Sequence, residues 1–188
     1  MKKILKIIWI VIVSISIVII GLWGYTKICF NPIVISGDSM MNTLYDGQVG
    51  YERKIELVKE INRGDIITFR KDNKSIVKRI IGLPNETIRL RNNTVYINGE
   101  VLEELYLSDE NKTEITNHGI YSNMTVELKE NEYYVMGDNR MNSYDSRYYG
   151  PVSYDQFIGK VRVIYGQGKC EDECSDITDF RYIPWIFF

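Results

Sequence analysis

The stretch DIITFRKDNKSIVKRIIG, residues 65–82, contains two segments, Asp65–Lys71 and Ser75–Gly82, that are rich in Ile, Val and Thr. Such β-branched residues favour extended strands. Other segments of similar composition are Ile33–Ser36, Gln48–Glu52, Glu86–Leu90, Thr94–Ile97, Tyr133–Met136 and Phe157–Tyr165. The dipeptide Asn98-Gly99 marks a tight hairpin turn. The sequence therefore predicts a mainly β domain of antiparallel sheet, with function carried by its loops.

The composition of the 188-residue chain is that of a folded protein, with 45% apolar and 26% charged residues. A formal net charge of −2 argues against a nucleic-acid partner. The three cysteines are too few for a disulfide scaffold. Cys170 and Cys174 have no histidine nearby and do not indicate a zinc site, which leaves free thiols or a local disulfide. We expect no metal and no cofactor.

An uncharged apolar run extends from Ile7 to Tyr25, and with Thr26 it has the roughly 20 residues that a helix needs to cross a bilayer. The alternative is a cleaved signal peptide, whose apolar core is shorter, about 7–15 residues, and ends at small residues. This run ends in Leu-Trp-Gly-Tyr, so we expect an uncleaved anchor. Lysines precede the run, which by the positive-inside rule predicts a cytoplasmic N-terminus and an extracytoplasmic domain.

Few residues in the chain can supply a base for nucleophilic catalysis. The only histidine, His118, lies in the polar stretch TNHGI, where a solvated loop histidine is a better interpretation than a catalytic one. Lys78 is the other candidate, because in a strand Ile76, Lys78 and Ile80 share one face. An apolar site lowers the pKa of a lysine. A shift from about 10.4 to roughly 8 requires about 3 kcal/mol of differential solvation. Taken alone, a lysine that extends to water is the more common arrangement.

Two polar segments supply the remaining candidates. Ser39 lies in SGDSMMNTL, residues 36–44, where Gly37 favours a bend that would expose the hydroxyl; a turn serine is the simpler interpretation. The loop GDNRMNSYDSRYYGP, residues 137–151, follows an apolar strand. Its Ser143 can hydrogen-bond an amine. Its residues that can form ion pairs are Asp138, Arg140, Asp145 and Arg147.

Four segments together resemble the motifs of bacterial type I signal peptidases, which read SGxSMxPTL, RGDIxxF, KRxxGLPG(D/E) and GDNRxNSxDSR in this order. The chain has SGDSMMNTL at 36–44, RGDIITF at 63–69, KRIIGLPNE at 78–86 and GDNRMNSYDSR at 137–147. The last two motifs are long and specific. The short segment between them is similar to that of the small members with a single anchor.

The resemblance implies a membrane-bound serine endopeptidase that cleaves signal peptides from exported preproteins. Ser39 would be the nucleophile and Lys78 the general base. Ser143 would orient the lysine amine, and the Ser39 N–H would stabilise the oxyanion. The residues implied to hold the loop and join it to the lysine strand are Asp145, Arg147, Arg79 and Asp138. Signal peptides, extended along strand edges with small residues at positions −1 and −3 of the cut, and the lipid bilayer would be the partners.

On this resemblance the chain divides into four parts. They are a cytoplasmic N-terminus at 1–6, a transmembrane anchor at 7–26, an extracytoplasmic peptidase domain at 30–166 and a C-terminal tail at 167–188. Within the domain, Leu57–Asn62 indicates a short helical turn, and residues 108–124 are polar and loop-like. The last seven residues, YIPWIFF, either pack on the core or enter the membrane interface.

Three positions depart from the family pattern. Asn42 stands where proline is usual, Asn85 where glycine is frequent, and Gly37 where some members have a serine that adds to the oxyanion hole.

Three alternatives to a lysine-dependent signal peptidase stay open. A self-cleaving Ser/Lys repressor would carry a DNA-binding segment in place of the anchor. A signal peptidase with histidine as the base would not have Lys78 at the base position. A catalytically impaired homologue that only binds exported proteins is disfavoured by the intact Ser39, Lys78 and Asp145.

Overall fold

The computed structural model describes residues 2–107, 123–171 and 176–188, with side chains for 2–107, 124–167 and 186–188. His118 and the Cys170 and Cys174 side chains, on which predictions were made above, lie outside these residues. The helices are α1 (Lys2–Cys29) and α2 (Ser146–Tyr149), with 3-10 turns at Ile55–Leu57 and Tyr154–Gln156. The strands are β1 (Phe30–Val34), β2 (Gln48–Lys54), β3 (Ile66–Lys71), β4 (Lys74–Gly82), β5 (Thr87–Arg91), β6 (Thr94–Ile97), β7 (Glu100–Val101), β8 (Asn123–Glu127), β9 (Glu132–Met136), β10 (Val152–Ser153), β11 (Phe157–Glu171) and β12 (Asp176–Phe187).

Helix α1 covers the predicted anchor and extends beyond it at both ends. None of its residues is buried in the protein, and it is long and apolar enough to cross a membrane. Ser14 Oγ and Ser16 Oγ donate to the carbonyl oxygens of Ile10 and Ile12, each at 2.9 Å, so these hydroxyls are satisfied within the helix. The helix ends at Cys29 and β1 begins at the next residue.

The larger sheet positions the candidate residues. Its strands are antiparallel in the order β1-β2-β11-β3-β4-β9-β10, with β12 paired to β11. Lys78 lies in β4, opposite Ile67 of β3. On the other side of β4, Arg79 is opposite Met136 of β9. The loop that begins at Gly137 therefore starts beside the lysine.

The smaller sheet has the order β7-β6-β5-β8 and packs against the larger one through an apolar cluster. The members of this cluster are Ile81, Ile88, Leu90, Val95, Ile97, Leu128, Tyr134 and Met136. The predicted hairpin at Asn98-Gly99 is confirmed, because Ile97 pairs with Glu100 and both turn residues have positive φ, 51° and 91°. The predicted architecture, mainly antiparallel β with an apolar N-terminal helix, is likewise confirmed.

The structure differs from the predicted elements in three places. The helical turn lies at Ile55–Leu57, earlier than predicted, because Val58 already has an extended backbone (φ −85°, ψ 117°). The short helix α2 was missed, although Asp145 caps its N-terminus and Gly150, with φ 79°, ends it. Strand β11 continues past Tyr165, and β12 pairs with it, so the tail residues extend the sheet. Phe188 packs against a core cluster, while Phe187 is exposed.

Candidate active site

Ser39 lies in a tight loop between β1 and β2. Gly37 has φ +83°, which favours glycine, and its N–H donates to Asp46 Oδ1 at 2.7 Å. After Ser39 the chain turns sharply, with the Thr43 N–H donating to Met40 O at 2.8 Å. The Met40 side chain is buried in the core immediately after the serine. The loop thus has a bend before Ser39 and an apolar anchor after it.

Lys78 reaches Ser39 from the neighbouring part of the sheet. Its Nζ lies 2.6 Å from Ser39 Oγ and donates to Val77 O at 2.9 Å. The residue is only 3% exposed. Ile76 and Ile80, two positions to either side, belong to an apolar cluster, as the alternation of the strand predicts. The serine hydroxyl and the lysine amine are therefore in hydrogen-bond contact, with the lysine buried and the serine partly exposed.

The burial of Lys78 makes its neutral amine accessible near neutral pH. Burial lowers the pKa of Lys78 from 10.5 to about 8, even though the charges of Asp145 and Asp138 act in the opposite direction. Arg147 adds a smaller effect that also lowers the pKa. A lysine with this pKa is partly deprotonated near neutral pH, and only the neutral form can accept a proton.

Asp145 organises the polar loop after β9. Its side chain is fully buried and accepts hydrogen bonds from Arg147 Nε at 2.8 Å, Ser143 Oγ at 2.6 Å and the Gly137 N–H at 3.0 Å. Burial alone would raise the pKa of Asp145, but the bonds and charge of Arg147, with those of Ser143 and Gly137, hold it below its ordinary value. The carboxylate therefore stays ionised and ties both ends of the loop together.

Ser143 has a different contact from the one implied by the resemblance. Its Oγ donates to Asp145, and among the described residues Lys78 Nζ bonds to Ser39 and to Val77 O instead. Ser143 nevertheless lies close to the dyad. A Cβ at Gly137 would come within 2.2 Å of Ser143 Oγ and 2.3 Å of Ser39 O. Only glycine at 137 allows the loop to approach the nucleophile this closely.

A buried ion pair joins the lysine strand to the loop. Arg79 Nε and Nη2 donate to the two carboxylate oxygens of Asp138 at 2.9 and 2.6 Å. Thr43 Oγ1 also donates to Asp138. Asn139, the next residue, donates its N–H to Ser39 O at 3.1 Å. The predicted pairing of Arg79 with Asp138 is present, and it connects strand β4 to the backbone of Ser39.

A second buried charge cluster, which the sequence analysis did not predict, lies behind this pair. Arg140 is fully buried and pairs through both Nη atoms with Glu104. Tyr106 OH donates to Glu104 at 2.6 Å, and the Tyr106 ring lies 4.0 Å from the Arg79 guanidinium. Glu104 and Tyr106 lie in the irregular segment after β7, outside any motif. A buried arginine requires an acidic partner, but the sequence contains many acids from which to choose it.

A cleft of about 370 Å³ opens beside Ser39 and Lys78. Its lining comes from β1 and the following loop, from β4, and from two residues beneath them: Pro32, Ile33, Val34, Ile35, Ser36, Gly37, Ser39, Met40, Glu52, Thr68, Ser75, Ile76, Val77 and Lys78. The Ser39 N–H makes no hydrogen bond to any described residue. In the part of the chain that the structure describes, no group of three His, Cys, Asp or Glu side chains could hold a metal ion.

Comparison with known proteins assigns the family. Residues 5–166 match the family described as "Signal peptidase, peptidase S26". Signal peptidase I U of Bacillus subtilis is 36% identical, covering 88% of this chain and 91% of its own. Signal peptidase IB of Staphylococcus aureus is 33% identical, covering 85% and 88%. A crystal structure of a signal peptidase I from Enterococcus faecalis is 36% identical over 55% of this chain and 97% of its own, with a TM-score of 0.48. The chain therefore belongs to the peptidase S26 family of signal peptidases, as a bacterial type I member.

Proposed function

We propose that this chain removes signal peptides from exported preproteins by means of a Ser39–Lys78 dyad, through an acyl-enzyme. The observation that carries the proposal is the 2.6 Å contact between Ser39 Oγ and Nζ of the buried Lys78. A serine hydroxyl is a weak nucleophile unless a base removes its proton. Among the residues that line the cleft, Lys78 contacts the Ser39 hydroxyl and can accept its proton.

In the acylation step, neutral Lys78 accepts the Ser39 proton as Oγ attacks the scissile carbonyl. The carbonyl electrons move to the oxygen, and the Ser39 N–H, which makes no hydrogen bond to any described residue, would stabilise that oxyanion. When the tetrahedral intermediate collapses, the peptide C–N bond breaks and the lysine gives its proton to the leaving amine. The signal peptide is then held as an ester on Ser39, and the lysine is neutral again.

In the deacylation step, Lys78 accepts a proton from a water molecule that attacks the ester carbonyl. The C–Oγ bond breaks, the proton returns to Ser39, and the signal peptide leaves with a new carboxylate. The same buried amine serves both steps because its pKa, about 8, lies near the operating pH.

The cleft suggests how an extended peptide would bind. Among the described strands, β1 pairs only with β2, and β4 pairs with β9 only from Arg79 onward. The free edge of β1 and residues Lys74–Lys78 of β4 therefore flank the cleft with peptide groups that can pair with a substrate strand. Adding a strand at these edges would place the scissile bond beside the dyad.

The pH dependence of cleavage tests the proposal. With a pKa of about 8, Lys78 is about one-tenth neutral at pH 7. We expect kcat/KM for a defined preprotein to rise about fivefold from pH 7 to pH 8 and about twofold more by pH 9. The measurement uses the purified full-length chain in detergent, with Ser39→Ala as the control for contaminating peptidases. A flat profile over this range would contradict a lysine base.

The membrane orientation is a second prediction, since Lys2, Lys3 and Lys6 precede the apolar run Ile7–Tyr25 within helix α1. We propose that the N-terminus is cytoplasmic and that the domain after Thr26 lies outside. Protease added to cells stripped of their wall should digest this domain and leave a cytoplasmic marker protein intact. Protection of the whole chain until the cells are lysed would show the opposite orientation.

A further inference from the structure

Glu52 is a buried acid in the cleft for which the proposed mechanism has no use. It lies in β2, is 3% exposed, and lines the cleft together with Thr68 of β3. Its Oε1 accepts from Asn31 Nδ2 at 3.2 Å, and its Oε2 accepts from Thr68 Oγ1. Within the described residues its polar partners are these two neutral side chains. Glu52 and Lys78 are the two ionisable residues in the lining, and the dyad accounts for only one of them.

In the protein without a bound peptide, the buried position of the Glu52 carboxyl group is energetically unfavourable. A buried carboxylate is costly without a cationic partner. Burial accordingly raises the pKa of Glu52, although the hydrogen bonds from Thr68 and Asn31 act in the opposite direction. Each carboxylate oxygen can accept two hydrogen bonds and here accepts one from the protein. The group therefore keeps acceptor capacity on the surface of the cleft.

The walls around this carboxyl group are mostly apolar. Pro32, Ile33 and Val34 contribute one wall, and Ile76 and Val77 contribute the other. The register places Glu52 opposite Asn31 of β1 and Thr68 opposite Val77 of β4, so the two polar side chains lie beneath both strands that flank the cleft. A peptide side chain directed into the cleft between those strands would approach them.

We propose that Glu52 and Thr68 form a polar subsite that selects serine or threonine at an inward-pointing residue of the signal peptide, upstream of the cut. This rests on the proposed function, in which an extended peptide directs alternate side chains into the cleft. The hydroxyl of such a serine or threonine donates a hydrogen bond to a free acceptor position of the Glu52 carboxyl group. Alanine or valine would remove water from that position without replacing its hydrogen bond. A lysine side chain would bring a second charge to be desolvated.

The test uses matched peptides and the purified full-length chain in detergent. Each peptide carries the same cleavage region, with Ala, Ser, Thr, Val or Lys at one position from −5 to −1. At one position we expect kcat/KM to be about tenfold higher for Ser or Thr than for Ala or Val. Glu52→Val should reduce this ratio to within about twofold, while Glu52→Gln, which keeps a carbonyl acceptor, should retain a preference. Glu60→Val, at an exposed glutamate, is the control and should keep the wild-type ratio.

Several outcomes would overturn the subsite. One is a wild-type chain with no preference for Ser or Thr at any position, a result that does not depend on whether the variants fold. Another is a ratio that is the same in wild type and in Glu52→Val, with thermal unfolding confirming that the variant is folded. A preference for Lys would show that the carboxylate pairs with a cation instead. Failure of the wild-type chain to cleave any peptide would contradict the proposed function on which the subsite rests.

Discussion

Replacing Lys78 by methionine should reduce cleavage by about 10³-fold or more and at the same time stabilise the folded chain. Activity falls because Ser39 loses the base that is 2.6 Å from its hydroxyl. Methionine is similar in length and apolar, so it fills the same buried space between Ile76 and Ile80. The assay is cleavage of a defined preprotein by the purified variant at pH 8.

The gain in stability follows from the depressed pKa of the buried amine. Folded Lys78 has a pKa of about 8 against an ordinary 10.5, so the folded state binds the proton more weakly than the unfolded state. The weaker proton binding destabilises the folded state. The destabilisation has its full value below about pH 8 and disappears as the pH rises through 10.5. After allowance for the lost hydrogen bonds, we expect Lys78→Met to raise the free energy of unfolding by about 1–3 kcal/mol at pH 7. The difference from wild type should shrink between pH 8 and pH 10.5.

Further variants distinguish the loss of the general base from a general disruption of the active site. Lys78→Arg keeps a cation but cannot deprotonate, so it should be as inactive as Lys78→Met. Ser39→Ala should be equally inactive, and the double variant Ser39→Ala/Lys78→Met should be no slower than either single one, because the two groups act as a unit. Normal cleavage by Lys78→Arg would refute the assignment of the base.

Replacing Asp138 by alanine should have the largest effect on stability. The change leaves the buried Arg79 guanidinium without its carboxylate partner, and we expect a loss of about 3–5 kcal/mol in the free energy of unfolding. Cleavage should also fall, because the neighbouring Asn139 N–H, which holds Ser39 O, depends on the position of this loop. Thermal and denaturant unfolding in detergent, together with the cleavage assay, measure the two effects.

Two comparisons make the ion-pair prediction specific. Lys129→Ala breaks the Lys129–Glu132 pair, whose lysine is 84% exposed, and should change stability by at most about 0.5 kcal/mol. The double variant Arg79→Met/Asp138→Leu removes both buried charges and should recover much of the stability but not the activity. Equal effects of Asp138→Ala and Lys129→Ala would show that the buried pair does not support the fold.

Local residue patterns predicted much of the fold and the apolar flanks of Lys78, whereas the pairing of Ser39 with Lys78 was implied only by the resemblance to signal peptidases. The alternation around Lys78 predicted its apolar flanks, and Ile76 and Ile80 do lie in a core cluster. The bend predicted at Gly37 is present, with φ +83° at this residue. These features depend on neighbours within a few residues in the chain, which is why the sequence contains them.

Contacts between distant segments were harder to predict. The resemblance placed Ser143 on the lysine amine, but the Ser143 hydroxyl instead donates its hydrogen bond to the buried Asp145 carboxylate, two residues away, which is a stronger acceptor. Glu104 was not anticipated as the partner of Arg140, because 36 residues separate them and many other acids were available. Glu52 read as an ordinary strand residue; only the packing of β2 beneath the cleft reveals its burial.

The direct passage of α1 into β1 limits how far the nucleophile can travel from the membrane. Ser39 is only ten residues after Cys29, the last residue of the helix, and a fully extended chain of that length spans at most about 35 Å. The strand and the bend at Gly37 shorten this reach further. A chain anchored in this way can act only on peptide bonds held close to the bilayer surface. The short connection would then prevent cleavage of exported proteins at acceptable sequences that lie in their folded parts, farther from the membrane.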